Sequence, residues 1–311
     1  MRTKFLMPYT YLLLFVFLCC TGCVEDPYDG VVSNEKSIEA VTLGGDFAQI
    51  GPATIDRAEG KVMVTVLMQP GTDLSRVSPQ IQVSYKANIS PSSGEPINFA
   101  ANNNQATFTV ISESGQSRDW VVELVPFTET ILGTYDITNL VVYGGTGPEY
   151  GGAATMALTD KPWVWPASGG PEAELDNVLT FAFTGVTPEG KTYGTFTNAA
   201  GPDGQYANFL FTGKPETDVN KFYRKLPKSE GTWARDYINN TVTFTFADNT
   251  TTTAAFVGPG TISLGNGATK KVTDNAFEFT LNGTDDWDNI YSDYDKFVKR
   301  PRKFWIDVKK Q

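Results

Sequence analysis

The stretch TVTFTFADNTTTTAAFV, residues 241–257, decides the fold class. Before a polar break, residues 241–246 alternate threonine with valine or phenylalanine, and after it threonines lead into an apolar run at residues 254–257. This pattern is typical of two β-strands joined by a turn. Similar short runs recur along the chain, separated by Gly, Pro and Asn clusters, and at most one long amphipathic helix is expected. The sequence therefore predicts an all-β protein.

Residues 1–22 are predicted to be a secretory signal peptide, because Arg2 and Lys4 precede an apolar stretch and small residues precede Cys23. The sequence CTGC, residues 20–23, resembles a bacterial lipobox, which implies that Cys23 is the lipidation site and anchors the chain in outer-membrane lipid. The acidic pair at residues 25–26 resembles the export signal of Bacteroidetes surface lipoproteins, which implies the cell surface. The alternative is an unmodified cysteine after an ordinary cleavage site.

Composition excludes several kinds of chemistry. The chain has no histidine and three cysteines, two of which lie in residues 1–22, so His-based triads and a disulfide framework are excluded. Loss of Arg2 and Lys4 with residues 1–22 moves the formal charge from −10 to −12, which disfavours nucleic acid and anionic lipid headgroups as partners. We expect no enzyme activity and assign no catalytic residue and no cofactor.

The remaining chain divides into a tether, residues 23–35, and two β domains. Residues 36–126 hold five candidate strands, which suits an immunoglobulin-like β-sandwich in which Trp120 fills the core. The candidate strands are residues 37–43, 61–67, 80–85, 106–111 and 118–125.

The first domain also resembles a known family. The segments PGTDLS (70–75), VSP (77–79), ANISP (87–91), INF (97–99) and WVV (120–122) resemble, in order and spacing, the Ig-like modules at the start of many Bacteroidetes surface lipoproteins. The resemblance implies a spacer domain in a surface glycan-binding protein of a polysaccharide-utilisation system. It also implies two partners, a glycan and a TonB-dependent transporter complex.

Residues 128–311 are predicted to be a larger β domain, the glycan-binding one. A jelly-roll-like sandwich is expected, with a lipocalin-like barrel as the alternative because GTY at 133–135 resembles the Gly-x-Trp opening of lipocalins. One late helix is predicted over residues 284–300, with an irregular aromatic-acidic loop as the alternative. The nine candidate strands are residues 134–143, 153–158, 178–184, 192–198, 206–212, 241–247, 251–257, 276–282 and 304–308.

Two tryptophans beside loop-forming residues are the first candidates for ligand contact. In a strand, Trp163 and Trp165 would point the same way and form a platform roughly 7 Å long on which sugar rings could stack. The alternative is that they cap a core. The other candidate ligand-binding residues are Tyr143 and Tyr150 beside the glycine-rich run 144–152, then Trp287, Tyr291 and Asn177.

Carboxylates suggest two further hypotheses. Oxygen ligands for Ca²⁺ could come from Asp285, Asp286, Asp288 and Asn289, although the spaced frame of an EF-hand is missing. A small hydrolase or lyase would need paired carboxylates, for which the candidates are Glu172, Glu174, Asp176 and Glu230. A lipocalin-like carrier of an apolar molecule and a structural adhesion protein are the remaining alternatives to glycan binding.

Overall fold

The computed structural model describes residues 30, 32–44, 47–68 and 71–311. The predicted signal peptide and the lipidation site Cys23 lie outside these residues. Within them the chain is all-β, as predicted. None of the described helices is long and apolar enough to cross a membrane.

The N-terminal part contains two sheets that enclose one apolar core. Strands β2, β3, β7, β6 and β5 form one sheet in that order, with β3 and β7 parallel, and β1 pairs with β4. Trp120 is fully buried between them and its Nε1–H donates to the Lys36 carbonyl at 3.0 Å, so its predicted core role is confirmed. The finer assignment to an Ig-like sandwich stays a prediction. The strands are β1 Ile38–Leu43, β2 Thr54–Asp56, β3 Lys61–Leu67, β4 Pro79–Val83, β5 Asn88–Ser90, β6 Gln105–Ile111 and β7 Ser117–Phe127.

The C-terminal part is an eight-stranded barrel. Strands β10, β11, β14, β15, β16, β19, β20 and β8 pair in that order, and β8 pairs back with β10 from Val178↔Asp136 to Phe181↔Gly133. The jelly-roll-like sandwich is therefore wrong and the barrel alternative is confirmed. The strands are β8 Gly133–Gly144, β9 Ala154–Ala157, β10 Val178–Val186, β11 Thr192–Ala199, β12 Leu210–Phe211, β13 Thr217–Asp218, β14 Ser229–Asp236, β15 Thr241–Thr245, β16 Thr251–Val257, β17 Gly260–Gly265, β18 Ala268–Val272, β19 Asn275–Thr280 and β20 Pro301–Lys310.

Aromatic side chains fill the barrel interior. Phe181 lies at their centre and stacks on Phe277 with ring centroids 5.6 Å apart, while Phe196 and Phe244 meet edge to face at 5.1 Å. All four rings are buried. Alternation along the strands sends these residues inward and the intervening threonines outward.

The two ends of the barrel carry different structures. The N-terminal part joins the barrel at one end, which we call the near end. There Phe127 packs edge to face on Tyr237, with ring centroids 4.6 Å apart. β8 runs from this end to Gly144 at the far end. Because β8 and β20 are antiparallel, the β8–β9 connection and the segment between β19 and β20 meet at the far end.

In place of the one predicted late helix, the structure has two short helical segments. Residues Trp287–Asn289 form a 3₁₀ turn and residues Asp295–Lys299 form a π-helix. Between them Tyr291 has φ of +75°, a left-handed conformation that an α-helix does not accept. Phe297 and Val298 are nevertheless buried against the barrel.

Candidate functional site

Trp165 is a core residue. Only 3% of it is exposed, and its Nε1–H donates to the Leu158 carbonyl at 2.7 Å. Its ring meets Phe211, Tyr223 and Phe297 edge to face, with centroids 5.4 to 6.5 Å away. The prediction that it contacts ligand is wrong, because it closes the far end of the barrel.

Trp163 points the other way and is 66% exposed. The two tryptophans do not form a platform, because Pro162–Val164 is a 3₁₀ turn and residues two apart point the same way only in a strand. The Lys161 ammonium lies 5.1 Å from the centre of the Trp163 ring and pairs with Asp293 at 3.2 Å. Trp163 is thereby connected to the segment that follows β19.

Tyr143 and Asn177 are also buried, so both predictions of ligand contact are wrong. Tyr143 faces outward from the barrel wall and is covered by the β17–β18 hairpin, where it packs in a small cluster with Trp305. The Asn177 amide donates to Glu174 at 3.1 Å, and its oxygen accepts from the Gly201 N–H at 3.0 Å. Both side chains stabilise the barrel and its connections.

The other three predicted aromatic residues lie together on the surface at the far end. We call Tyr150, Trp287 and Tyr291 the distal aromatic cluster. They are 65%, 55% and 58% exposed, respectively. The ring centroids of Tyr150 and Trp287 lie 6.1 Å apart, and the Tyr291 hydroxyl donates to the Tyr150 carbonyl at 3.2 Å. Three large rings are therefore presented to solvent from two different segments.

The glycine-rich run beneath the cluster is the hairpin connection between β8 and β9, and it packs closely. A Cβ at Gly152 would lie 1.9 Å from the Thr146 carbonyl, and one at Gly144 would lie 2.1 Å from the Lys296 carbonyl. A Cβ at Gly147 would meet both the Trp287 and the Tyr150 rings. Only glycine allows the backbone and the rings to approach this closely.

A buried polar network joins the two segments. The Asp295 carboxylate accepts from the backbone N–H of Thr146 at 2.6 Å and from its hydroxyl at 2.7 Å. The Thr146 hydroxyl oxygen in turn accepts from the Asp286 N–H at 2.7 Å. Both Thr146 and Asp295 are fully buried. Because Trp287 follows Asp286 directly, this network fixes the backbone that carries it.

Charged groups surround the cluster. The Lys296 ammonium donates to the Tyr291 carbonyl at 2.5 Å, and partial burial lowers its pKa. Glu149 and Asp288 are exposed beside Tyr150 and Trp287. Exposed carboxylates that neighbour these rings in the sequence are suited to accept hydrogen bonds from hydroxyl groups.

Three of the four residues considered for calcium have other partners. Asp285 pairs with Arg300 at 2.8 Å and with Arg302 at 3.2 Å, and Asp286 accepts from the Asn289 amide at 2.9 Å. In the part of the chain that the structure describes, no group of three or more His, Cys, Asp or Glu side chains is arranged to hold a metal ion.

The carboxylates considered for catalysis are dispersed among different roles. Glu174 is buried and pairs with Arg224 at 2.6 Å, while Asp176 accepts from the Asp203 N–H at 3.2 Å. Glu172 and Glu230 are exposed, the second of them in strand β14. The described contacts join none of these four to the distal aromatic cluster.

Comparison with known proteins supports the resemblance. Residues 41–124 match the family model described as SGBP, N-terminal, where SGBP denotes a surface glycan-binding protein. Over these residues the chain is similar to the N-terminal part of such proteins. No curated protein matches the sequence.

Two solved structures show weak likeness. A Bacteroides fragilis protein, provisionally described as secreted, shares 16% sequence identity with this chain. The alignment covers 30% of this chain and 95% of that protein, with a TM-score of 0.24. A Bacteroides thetaiotaomicron protein, provisionally described as a glycoside hydrolase, shares 11% sequence identity with this chain. The alignment covers 90% of this chain and 84% of that protein, with a TM-score of 0.27. At such scores neither likeness bears on the function of this chain.

Proposed function

We propose that this protein binds a polysaccharide or oligosaccharide at the cell surface, through the distal aromatic cluster and without cleaving it. One observation supports this most strongly. Tyr150, Trp287 and Tyr291 are each more than half exposed, although they come from two segments that a buried network holds together. Exposed aromatic patches of this kind mark interaction surfaces.

The chemistry of the cluster suits a sugar. The face of an aromatic ring carries partial negative charge, so it attracts the weakly positive C–H groups on one face of a pyranose. Hydroxyl groups at the edge of the same sugar would donate to the exposed carboxylates of Glu149 and Asp288. Trp163 lies in an adjacent segment, tied to this region by Lys161 and Asp293, and would provide a further contact.

The barrel interior favours this proposal over the lipocalin-like carrier. A carrier holds its apolar ligand inside the barrel. Here Phe181, Phe196, Phe244 and Phe277 occupy that space, and Trp165 closes the far end above them. The outer surface at the far end is therefore the better place for a ligand.

The location and partners extend the proposal. We propose that Cys23 carries the lipid that holds the protein on the outer membrane, and that a TonB-dependent transporter complex takes up the bound glycan. Replacement of Cys23 by Ser should abolish palmitate labelling and release the protein from the membrane. Unchanged labelling and retention would refute the anchor.

Glycan binding itself can be tested by affinity electrophoresis of the purified full chain in gels that contain single soluble polysaccharides. Release of reducing sugar is measured on the same panel. Retardation without release supports binding without catalysis. Release would show that the protein is an enzyme, and the absence of both would favour an adhesion or structural role.

A further inference from the structure

Two rings of the distal aromatic cluster are steeply inclined to each other. The planes of the Tyr150 and Trp287 rings meet at 66°, with centroids 6.1 Å apart. A flat, straight ligand can lie face to face against one of these rings but not against both. Any ligand that stacks on both must present two faces that differ in direction by a similar angle.

Backbone contacts restrain the segments that carry these two rings. Gly147 lies between the two rings with φ of +60°, and a Cβ there would lie 3.0 Å from the Trp287 ring and 3.2 Å from the Tyr150 ring. Tyr291 restrains the Tyr150 backbone through its hydroxyl at 3.2 Å. Trp287 begins a 3₁₀ turn, and the N–H of Asp286 just before it donates to the buried Thr146 hydroxyl at 2.7 Å. These contacts restrain the backbone that carries the two rings, and a restrained site favours ligands that already have the matching shape.

The shape of a polysaccharide follows from its linkages. Successive sugar faces lie in nearly parallel planes in the straight, ribbon-like chains of cellulose and of plant mannan. In amylopectin, laminarin and yeast mannan the chain bends, so successive faces turn relative to one another. We infer that, if the cluster binds glycan as proposed above, it selects bent glycan chains over straight, ribbon-like ones.

The test pairs bent and straight chains of the same sugar, so that sugar identity does not confound shape. Affinity electrophoresis of the full chain would compare amylopectin and laminarin with a soluble cellulose derivative, and yeast mannan with soluble plant mannan. We expect retardation by at least one bent chain and weaker retardation by its straight counterpart. Equal or stronger retardation by the straight chain would overturn the inference while leaving glycan binding intact. Retardation by none would refute the proposed function and the inference together.

Two glycine variants test the role of the angle. Gly147 and Gly151 belong to the same connection, with φ of +60° and +76°, but a Cβ at Gly151 would have nothing within 4 Å. Both Gly→Ala changes strain the backbone similarly, because both positions have positive φ. Only Gly147→Ala adds a Cβ that contacts the Tyr150 and Trp287 rings. We expect Gly147→Ala to weaken binding of the bent chain about five-fold or more relative to Gly151→Ala, and to narrow the preference for bent chains. Equal affinities and preferences in the two variants would contradict a role for the angle.

Discussion

Trp163 and Trp165 are separated by one residue, yet one is 66% exposed and the other 3% exposed. Their opposite environments predict opposite effects of substitution. Trp165→Ala should reduce the free energy of unfolding by about 3–5 kcal/mol, because it leaves a cavity among aromatic rings and removes the bond to Leu158. Trp163→Ala should change it by less than about 0.5 kcal/mol. Denaturant unfolding of both variants measures this, and equal effects would contradict the two assignments.

The bond between Thr146 and Asp295 supports the far end. Asp295→Ala would leave the Thr146 N–H and hydroxyl buried without their acceptor, which should cost about 1–3 kcal/mol for each unpaired group. It should also weaken glycan binding, because Trp287 loses its support. For stability, Asp293→Ala is the matched control, since that residue makes a partly exposed ion pair with Lys161 worth at most about 1 kcal/mol. If Asp295→Ala were as stable as Asp293→Ala, the buried network would not be required for the stability of the far end.

Asp236 predicts a dependence of stability on pH. The backbone N–H of Asn239, followed by its side-chain amide and by Lys191, lowers the pKa of the Asp236 carboxyl to about 2. A carboxyl whose pKa falls on folding stabilises the protein above its unfolded pKa of 3.8, and this contribution is lost as the pH falls towards 2. The Asp236→Asn variant should therefore be less stable at neutral pH and should lose less stability between pH 4 and pH 2. Thermal unfolding across this range measures the difference, and parallel curves would refute it.

Many of the predicted strands were confirmed because their signal is local, but β14, β17 and β18 were not predicted, and residues 206–209 of one candidate strand are not in a strand. Alternation in residues 241–246 sufficed to predict β15, since each side chain's direction follows from its neighbours. Barrel closure depends on the pairing of Val178 with Asp136, which alternation does not encode. A sandwich and a barrel therefore share the same sequence pattern, and the first expectation was wrong.

The site was predictable in part for a similar reason. Tyr143 and Tyr150 were both candidates because they adjoin the glycine-rich run, but Tyr150 is exposed and Tyr143 is buried. The directions of Trp163 and Trp165 were inferred from strand geometry, which the 3₁₀ turn at Pro162–Val164 replaces. Thr146 and Asp295, which support the cluster, are 149 residues apart and carry no sequence signal of their contact.

The central claim is that the distal aromatic cluster binds glycan, and Trp287 tests it most directly. Trp287→Ala removes a ring that is 55% exposed, so stability should hardly change. The lost stacking contact should cost about 1–3 kcal/mol of binding, which corresponds to a loss of affinity of about five- to 150-fold. Tyr85→Ala is the control, because Tyr85 is 76% exposed in the N-terminal part, away from the cluster.

The measurement is isothermal titration of the wild type, Trp287→Ala and Tyr85→Ala with a polysaccharide that retards the wild type in the affinity gel. Glycan binding through the cluster predicts that only Trp287→Ala loses affinity, with the melting temperatures of all three nearly equal. Full affinity in the folded Trp287→Ala protein, or an equal loss in Tyr85→Ala, would contradict it.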